Sequence, residues 1–471
     1  MAAHDEPWVR PLHNRRYFGH EVLHDAFPET GVPARAAYDL LHTGLMLNGR
    51  ETLNLASFVT TWMEPEADQL IMDAIRTNHI DHEEYPASQL MEELCVRALA
   101  ALWNAPSVDD AVGVATIGSS EAIMLGLLAH KWTWKKKREA AGLPTDKPNI
   151  VFGAETHIVW DKFARYFDVE MRKIPMKPDR YVFTVDEVLE QIDENTIAVG
   201  AVLGTTFIGE VDPIEELNDA LVALEADKGW DVPIHVDGAS GGFVAPFSDP
   251  DERWDFRLDK VASINASGHK YGLVYPGVGW LVFRDKAWLP EDLVFSVNYL
   301  GGAQPTYTFN FSRGSAMIQA QLYNFLRLGR EGYTDLVQNM LANARFLNEA
   351  LEATGRFEIM NPKLAEPVVT FKLTGDPPFD VYHLSERLRQ DGWIVPAYSL
   401  PPDAEDVHLL RVVVRVEMSH QLLGILVADI QKAYDELEAD PPSHTARRTP
   451  DPYSSPRAAG GRTKARVRPT S

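Results

Sequence analysis

The sequence predicts an α/β fold, in which a large, mostly parallel sheet with helices on both faces precedes a smaller C-terminal α+β domain. Two observations predict it. Through most of the chain, short apolar runs alternate with amphipathic helical patterns, which is the order typical of a parallel sheet covered by helices. After a long helical pattern, the order changes to strand, helix, strand and helix, which is typical of a small α+β domain.

Five short apolar runs predict strands of the large sheet, at residues 149–152, 196–203, 233–236, 261–265 and 277–283. Amphipathic helical patterns lie between several of these runs, for example at residues 213–228. An apolar helix is also predicted before the first of them, at residues 122–134. This alternation accounts for the helices expected on both faces of the sheet.

The C-terminal part begins with a long helix predicted around residues 335–354. Ser419 is the predicted N-cap of the final helix. Between them the sequence predicts two strands and a helix, at residues 367–373, 407–416 and 381–390. The chain is therefore expected to divide into an N-terminal segment, a large domain, a small α+β domain and a disordered tail, at residues 1–60, 61–340, 341–440 and 441–471.

Composition limits the classes of protein that the chain can belong to. Its 471 residues, 45% hydrophobic and 24% charged, are typical of a globular, water-soluble protein with more than one domain. Cys95 is the only cysteine, which excludes an intrachain disulfide and a cysteine-cluster metal site, and no metal is expected. The first residues carry charges and prolines instead of a signal peptide's apolar core, and no run is apolar enough to span a bilayer. We therefore expect a cytoplasmic protein.

Charge is distributed unevenly along the chain. The formal net charge is −23, which argues against nucleic-acid binding by the body of the protein, because phosphates require a positive surface. From Pro441 onward, seven Lys and Arg residues stand against one acid, so this tail carries +6 and the remainder −29. The tail is rich in Pro, Ser, Gly and Arg, a composition that predicts disorder.

Lys270 stands beside His269, between Gly268 and Gly272, directly after a predicted strand. One interpretation is an ordinary turn in which the lysine faces water. The other is a lysine that forms a Schiff base with an aldehyde cofactor, which requires a buried site lined by polar groups. The pair alone is a weak signal, so the rest of the chain must decide.

Ser119 and Ser120 follow Gly118 at the start of the apolar helix. Hydroxyls and backbone N–H groups at a helix N-terminus form an anion site that suits a phosphate. The alternative is plain N-capping, which is the commoner role of serine at a helix start.

Asp237 and His157 each follow a predicted strand. Ligands of open α/β sheets bind at the carboxyl ends of strands, where an aspartate can pair with a pyridinium nitrogen and an imidazole can stack on a flat ring. Taken singly, the aspartate is as easily a turn residue, and the histidine is more often structural. The two together with the helix-start serines and Lys270 predict a site for pyridoxal phosphate.

The sequence resembles the pyridoxal-phosphate group II decarboxylases, and among them the glutamate decarboxylases of bacteria and plants. The stretches that carry the resemblance include GSSEAIMLGLLAHKW, HVDGASGGFVAPF and INASGHKYGLVYPGVGWLVF, and they lie within residues 54–88, 118–132, 160–176, 235–247, 254–285, 298–302 and 310–333. The resemblance extends from about His13 to residue 440. It implies the fold-type I architecture of pyridoxal-phosphate enzymes, with the cofactor in the large domain.

The resemblance also implies roles around the cofactor, pyridoxal 5′-phosphate. Lys270 would hold it as an internal aldimine, and Asp237 would pair with its pyridine nitrogen. His157 would stack on the ring opposite Ala239, and Thr206 would lie near the ring oxygen. Four residues would bind the phosphate: Ser119, Ser120, Ser267 and His269.

Further residues are implied for the substrate and for assembly. Arg411 would hold the substrate's α-carboxylate, while Ser57 and Asp81 would lie around its distal carboxylate. Ser312 would reach the cofactor of a neighbouring subunit. The implied assembly is a homodimeric core, with a hexamer as a larger alternative, and residues 1–60 would pack on the partner subunit.

The implied reaction converts L-glutamate to 4-aminobutanoate (GABA) and CO₂ through an external aldimine and a quinonoid intermediate. Lys270, His269 and Asp237 are its implied catalytic residues, and Lys270 or His269 would protonate Cα. Close bacterial members carry Gln where this chain has His157, and Ser57 lacks a methyl group found there. Bacterial members can end in a short segment whose histidine caps the active site, and plant members carry a calmodulin-binding tail with a tryptophan, whereas this tail ends VRPTS and contains neither a tryptophan nor a clean amphipathic helix. Calmodulin is therefore not an expected partner, nor is a membrane or nucleic acid.

Two other classes of function remain as alternatives. One is a pyridoxal-phosphate enzyme with another substrate, such as an aromatic or aspartate decarboxylase or a carbon–carbon lyase. An aromatic pocket would not need Ser57 and Asp81, so these residues favour glutamate. The other is a binding protein whose basic tail contacts an anionic surface, and Lys270 argues against it because binding requires no Schiff-base lysine.

Overall fold

The computed structural model describes residue 27, residues 30–298 and residues 304–443. The chain divides into two compact units, Met1–Leu53 and Asn54–Ser471. The described part of the first unit contains helix α1 (Ala34–Leu45) and a short 3₁₀ helix, Glu51–Leu53. The tail predicted to be disordered lies almost wholly outside the described residues. The division into four segments stays a prediction; its boundary at residue 340 falls within a long helix, Ala316–Glu352.

A seven-stranded sheet forms the centre of the second unit. Its strands, in chain order, are β1 (Val112–Thr116), β2 (Asn149–Gly153), β3 (Glu170–Ile174), β4 (Thr196–Val202), β5 (Ile234–Asp237), β6 (Val261–Ser267) and β7 (Gly279–Phe283). They are arranged in the order β1-β7-β6-β5-β4-β2-β3. The neighbouring pairs β3–β2, β2–β4, β4–β5 and β5–β6 are parallel, whereas β7 is antiparallel to both of its neighbours, β6 and β1. The predicted mostly parallel sheet is therefore confirmed.

Helices cover both faces of this sheet. They are α2 (Pro65–Ala74), α3 (Pro86–Leu102), α4 (Ser119–Ala140), α5 (Val159–Tyr166), α6 (Val185–Gln191), α7 (Ile214–Lys228), α8 (Ala245–Ser248) and α9 (Ala316–Glu352). Apolar side chains of α4 and α5 pack on one face, and those of α3, α7 and α9 contribute to the core on the other. Since both faces are covered, β4 is buried along its whole length, which explains why its sequence, TIAVGAV, is almost continuously apolar.

The C-terminal part contains a four-stranded antiparallel sheet. Its strands are β10 (Phe357–Ile359), β11 (Val368–Leu373), β12 (Ala397–Ser399) and β13 (His408–Val413), in the order β10-β11-β13-β12, with helices α10 (Val381–Gln390) and α11 (His420–Ala439). Ser419 accepts a hydrogen bond from the Leu422 N–H (3.1 Å), so the predicted cap is confirmed. A separate hairpin consists of β8 (Phe295–Val297) and β9 (Gln304–Thr306).

Several element predictions need correction. The helix expected from residue 335 is the second half of α9, which begins at Ala316, and the helix expected at 122–134 is the interior of α4. Strands β1 and β3 were not predicted. β3 is half exposed and reads EMRKI, so it lacks the apolar run of a buried strand. Within the described ranges, no helix is both long and apolar enough to cross a membrane.

Candidate active site

The site begins where β5 and β6 end, at the carboxyl edge of the parallel strands. Asp237 is the last residue of β5, and its carboxylate is buried. It accepts hydrogen bonds from Trp160 Nε1 (3.1 Å), Asn265 Nδ2 (3.1 Å) and the Ala239 N–H (3.2 Å). These three donors fix the orientation of the carboxylate and supply the hydrogen bonds that water would otherwise provide.

Lys270 lies in the turn after β6, against the segment that precedes α2. Thr60 holds this turn: its N–H donates to the His269 carbonyl (2.8 Å) and its hydroxyl to the Lys270 carbonyl (3.0 Å). The Lys270 amine lies 4.7 Å from the centre of the Phe58 ring. Burial lowers the pKa of Lys270, while the negative charges of Asp237 and Glu366 oppose this shift. A lysine so placed loses its proton more readily than a solvated one.

The start of α4 meets the end of β6. Ser267 donates a hydrogen bond to the Ser119 hydroxyl (2.7 Å), and both side chains are buried, whereas Ser120 is exposed. The His269 ring lies close by, because a Cβ placed on Gly118 would be 4.0 Å from its Cε1. Four of the residues predicted to bind phosphate are thus clustered around a helix N-terminus.

His157 lies near Asp237 and Lys270, and Ala239 lies beside Asp237. Partial burial lowers the pKa of His157, with Asp237 acting in the opposite sense and Lys270 in the same sense, so all three are within electrostatic reach. The Ala239 carbonyl accepts a hydrogen bond from the Ser267 N–H (3.1 Å). This backbone contact joins the segment after β5 to the end of β6.

Arg411 projects from β13 of the small sheet and is buried. Its guanidinium donates to the carbonyls of Thr206 and Ala56, the latter at 2.7 Å. It also lies 5.2 Å from the centre of the Phe58 ring, the ring that the Lys270 amine contacts. Ser57 follows Ala56, and its hydroxyl accepts a hydrogen bond from the Val59 N–H (3.1 Å). The small sheet therefore brings a buried cation to the lysine.

Asp81 and Ser312 lie together, in a different place. Asn78 joins them: its side chain donates to the Ser312 hydroxyl (3.4 Å), and its carbonyl accepts from the Asp81 N–H (3.1 Å). Ser312 is exposed, and one carboxyl oxygen of Asp81 is buried without a partner among the described residues. Among the described residues, neither Asp81 nor Ser312 contacts Lys270 or Arg411.

Comparison with known proteins assigns the family. The sequence model of the pyridoxal-dependent decarboxylase conserved domain matches residues 40–374. The chain belongs to the pyridoxal-dependent decarboxylase family. It is 51% identical over 429 residues to a glutamate decarboxylase of Solanum lycopersicum, covering 91% of this chain and 86% of that one. It is 44% identical to a glutamate decarboxylase of Aliivibrio fischeri, covering 92% and 97%.

Solved structures agree with this assignment. A glutamate decarboxylase of Lactobacillus brevis superposes with a TM-score of 0.86 and 40% identity, covering 89% of this chain and 96% of that one. A sphingosine-1-phosphate lyase of Burkholderia pseudomallei shares the fold, with a TM-score of 0.74, 24% identity and coverage of 90% and 95%. The fold-type I architecture and pyridoxal phosphate as cofactor are therefore confirmed for this decarboxylase.

The residues of this decarboxylase fit that cofactor. His269 Nδ1 and Arg411 Nε are buried without hydrogen-bond partners in the described part of the chain. Buried polar atoms are normally paired, so this group of unpaired atoms around Lys270 and Asp237 is what a polar cofactor and its substrate would complete.

Sequence reasoning missed several residues of the site. Trp160 and Asn265 orient Asp237, and Phe58 lies beneath both cations. Asn265 could have been found, since it lies two residues before Ser267 on one strand and therefore on the same face. Glu366 gave no signal, because a glutamate beside a proline near a strand resembles an exposed turn residue.

Proposed function

We propose that this chain is a glutamate decarboxylase, which converts L-glutamate to 4-aminobutanoate and CO₂. One observation carries the proposal: the Lys270 amine and the Arg411 guanidinium lie 4.7 and 5.2 Å from the centre of one ring, that of Phe58. A group that can bind an aldehyde covalently is thus adjacent to a buried cation that can bind a carboxylate. Identities of 44–51% to glutamate decarboxylases support glutamate as the substrate.

The cofactor, when bound, supplies an aldehyde for covalent attachment and a ring that accepts the electron pair left at Cα when CO₂ departs. We assign its attachment to Lys270. The Asp237 carboxylate, fixed by Trp160 and Asn265, would hold a proton on the ring nitrogen. Ser119, Ser120, Ser267 and His269 would bind the phosphate, with His157 and Ala239 on opposite faces of the ring and Thr206 near the ring oxygen.

Arg411 would bind the substrate's α-carboxylate. Its guanidinium is held by the carbonyls of Ala56 and Thr206, so its position is set before substrate arrives. A carboxylate held there has a fixed direction relative to Lys270, and that direction selects which bond at Cα is broken. Ser57, next to Ala56, would contact the distal carboxylate.

The proton that Cα receives would come from Lys270 or His269. Burial lowers the pKa of His269, and the nearby charge of Lys270 lowers it further. This imidazole is therefore mostly neutral at pH 7 and would have to be recharged before donating. Lys270, when not bound to the cofactor, would carry an amine beside the negative charges of Asp237 and Glu366, which favour its protonated form and so favour it as the donor.

We further propose a homodimeric enzyme in the cytoplasm. Ser312 is exposed and, like Asp81, makes no contact with Lys270 among the described residues. Both would instead complete the site of a partner subunit, with Asp81 near the distal carboxylate. The single cysteine, Cys95, is buried and unpaired, which accords with a reducing compartment.

The direct test is CO₂ release from single amino acids by the purified, cofactor-loaded protein. Glutamate should be consumed and 4-aminobutanoate formed in equal amount, whereas aspartate, tyrosine and tryptophan should react far more slowly. Faster release of CO₂ from any of those three would overturn the assignment of substrate. Formation of aldehyde without 4-aminobutanoate would overturn the assignment of reaction.

Arg411→Gln tests the carboxylate site. We expect kcat/KM for glutamate to fall by about 100-fold, because a charge-assisted contact to a carboxylate contributes roughly 2–4 kcal/mol in a desolvated site. Cofactor absorbance should be retained. Arg356→Gln is the control, since Arg356 pairs with Asp435 outside the site. An unchanged kcat/KM in Arg411→Gln would remove this residue from the site.

A further inference from the structure

Glu366 is a buried carboxyl group that the proposed reaction does not use. It precedes β11 and is 1% exposed. Its side chain lies against Gly204, just beyond the end of β4, since a Cβ placed on Gly204 would be 1.8 Å from Glu366 Oε1. Gly204 also has a φ of +94°, a conformation that favours glycine. Glycine is therefore required at this position both by the backbone conformation and by the space that the Glu366 carboxyl group occupies. Two residues further on is Thr206, whose carbonyl binds Arg411.

Neither carboxyl oxygen of Glu366 has a hydrogen-bond partner within the described residues. The nearby hydroxyl of Ser240 donates to the Gly204 carbonyl instead (3.3 Å). An ionised carboxylate in this position would have to compete with the Gly204 carbonyl for the Ser240 hydroxyl, which is fewer donors than normally compensate for burial. The neutral acid is far less costly to bury.

Charged and titratable groups face Glu366 from three directions: Asp237 at the end of β5, Lys270 and Tyr271 after β6, and Arg411 on β13. Burial raises the pKa of Glu366 to about 8. The nearby Ser240 hydroxyl, Lys270 and Arg411 oppose this shift, whereas Asp237 acts in the same sense as burial. The group therefore changes charge near neutral pH, beside the cation to which we assign the substrate's carboxylate.

We propose that Glu366 is a positioning residue that acts through Arg411: neutral, it leaves Arg411 free for the substrate's carboxylate, and ionised, it becomes an internal counter-anion that weakens substrate binding. This inference rests on the proposed function, because it assigns the substrate's carboxylate to Arg411.

The charge balance at Arg411 depends on the ionisation of Glu366. Arg411 donates hydrogen bonds to two neutral carbonyls and lies over the rings of Phe58 and Tyr398, while its Nε has no hydrogen-bond partner in the described structure. No carboxylate among these contacts compensates its charge. An ionised Glu366 supplies that compensation from within the protein. An incoming carboxylate must then be bound beside a second negative charge, in addition to that of Asp237. By linkage, the bound carboxylate favours the protonated form of Glu366 by the same factor, so binding takes up a proton.

The test uses the cofactor-loaded protein and glutarate, a dicarboxylate without an amine that cannot be decarboxylated at Cα. Its Kd is measured by calorimetry from pH 6 to pH 9 for wild type, for Glu366→Gln and for Glu358→Gln. Glu358 is the matched control, because it is an exposed glutamate on β10 that pairs with Lys372 (2.9 Å). Wild type and Glu358→Gln should bind glutarate about tenfold more weakly at pH 9 than at pH 6. Glu366→Gln should bind with nearly constant affinity.

A second measurement needs no variant, in case Glu366→Gln fails to fold. Calorimetry of wild type at pH 8 in two buffers of different ionisation enthalpy gives the number of protons taken up with glutarate. Uptake of up to about half a proton is expected, since the carboxyl is near half ionised there. No proton uptake, equal pH profiles for wild type and Glu366→Gln, or no glutarate binding at pH 6 would each overturn the inference. CO₂ release from glutamate tests the proposed function separately, because it does not depend on any of these results.

Discussion

Asp237 is the end of a chain of buried hydrogen bonds. Asn265, which donates to Asp237, accepts a hydrogen bond at its Oδ1 from His235 Nε2 (2.9 Å), and His235 Nδ1 accepts from the Ser263 hydroxyl (2.7 Å). Burial lowers the pKa of His235 to about 4, so its ring is neutral at physiological pH. The chain therefore positions the Asp237 carboxylate without placing a second charge behind it.

Lys270→Ala should abolish both turnover and covalent retention of the cofactor. The amine is the only nucleophile that we assign to attachment, and alanine provides none. The measurement is visible absorbance after dialysis against cofactor-free buffer, with borohydride treatment to fix any imine. Lys228→Ala, at the exposed end of α7, is the control and should behave like wild type. A borohydride-stable cofactor bond in Lys270→Ala would refute the assignment.

Two other buried carboxyls, Glu155 and Asp212, lie side by side behind the site. Burial raises the pKa of Glu155 to about 7, and burial together with the charge of Glu155 raises that of Asp212. The Asp212 carboxylate also accepts a hydrogen bond from the Val202 N–H (2.6 Å). Two carboxyl groups in one buried place share a proton more easily than they both ionise.

Glu155→Gln should therefore reduce the loss of stability that occurs as pH rises from 5 to 8. The pKa of Glu155 in the folded protein, about 7, lies above its ordinary value of 4.5. The contribution of this group to the free energy of unfolding is therefore fully present below pH 4.5 and is lost as pH rises through about 7. Between pH 5 and pH 8, the free energy of unfolding of wild type should fall by roughly 2–3 kcal/mol more than that of the variant. Urea titrations at both pH values measure this difference. Parallel pH dependence in the two proteins would mean that the pair is ionised throughout.

At the scale of elements, the buried inner strands of the large sheet were predictable, whereas β1 and β3 at its two edges were not. β4, β5 and β6 are buried along their whole length; β4 is an almost continuous apolar run, and β5 and β6 carry apolar residues with a few buried polar ones between them. The observed helix Val381–Gln390 coincides with its prediction because Asp380 caps it with two hydrogen bonds, a local signal. β1 and β3 depend on their neighbours in the sheet, which no local pattern records.

The same distinction applies to the site. Lys270, Asp237 and Ser119 follow strand ends or begin a helix, so their positions follow from chain topology. Glu366 and Arg411 reach the site from the small sheet, and the packing of that sheet on the large one is not encoded in any short stretch of sequence. Trp160 was within reach of sequence reasoning, but a tryptophan on an amphipathic helix is ordinarily a core residue.

The meeting of β7 with the start of α4 gives an element-level test. A Cβ placed on Gly279 would lie 2.3 Å from the carbonyl carbon of Gly118 and 2.6 Å from the Ser119 nitrogen. Gly279→Ala should therefore push β7 away from α4, lower stability by about 3 kcal/mol and weaken cofactor binding. Thermal denaturation and cofactor titration measure the two effects.

Gly424→Ala is the matched control, because no other group lies within 4 Å of a Cβ placed on that helical residue. It should leave cofactor binding unchanged and raise stability by up to about 1 kcal/mol. If both alanine variants bind the cofactor as wild type does, the close approach of β7 and α4 is not needed for the phosphate site.

At the scale of the whole molecule, the N-terminal unit presents apolar side chains on its surface. The exposed ones on and after α1 include Leu41, Leu45, Met46 and Leu47, the last 90% exposed. Contiguous exposed apolar groups are typical of a surface that a partner covers. This supports the proposed packing of residues 1–60 on a second copy of the chain.

Mixed dimers test whether active sites are shared. Ser312→Ala and Lys270→Ala chains should each be poorly active alone. A mixed dimer of the two contains one site with both residues intact if Ser312 serves the partner's site, so activity should reappear on mixing. Subunit exchange is verified with differently tagged chains. Demonstrated exchange without any recovery would place Ser312 in the site of its own chain or in none.

The position of β7 in the sheet also determines when β1 can pair during translation. β1 has a single neighbour, β7, and the Thr116 hydroxyl at its end bonds to the Gly279 carbonyl (3.0 Å) across 163 residues. At translation rates of ~5–20 residues per second, roughly 10–30 s separate the two strands on the ribosome. Throughout that interval β1 has no strand to pair with, and the helix start with Ser119 has no Gly279 against it. The start of α4 therefore cannot reach its folded packing against Gly279 until β7 has emerged.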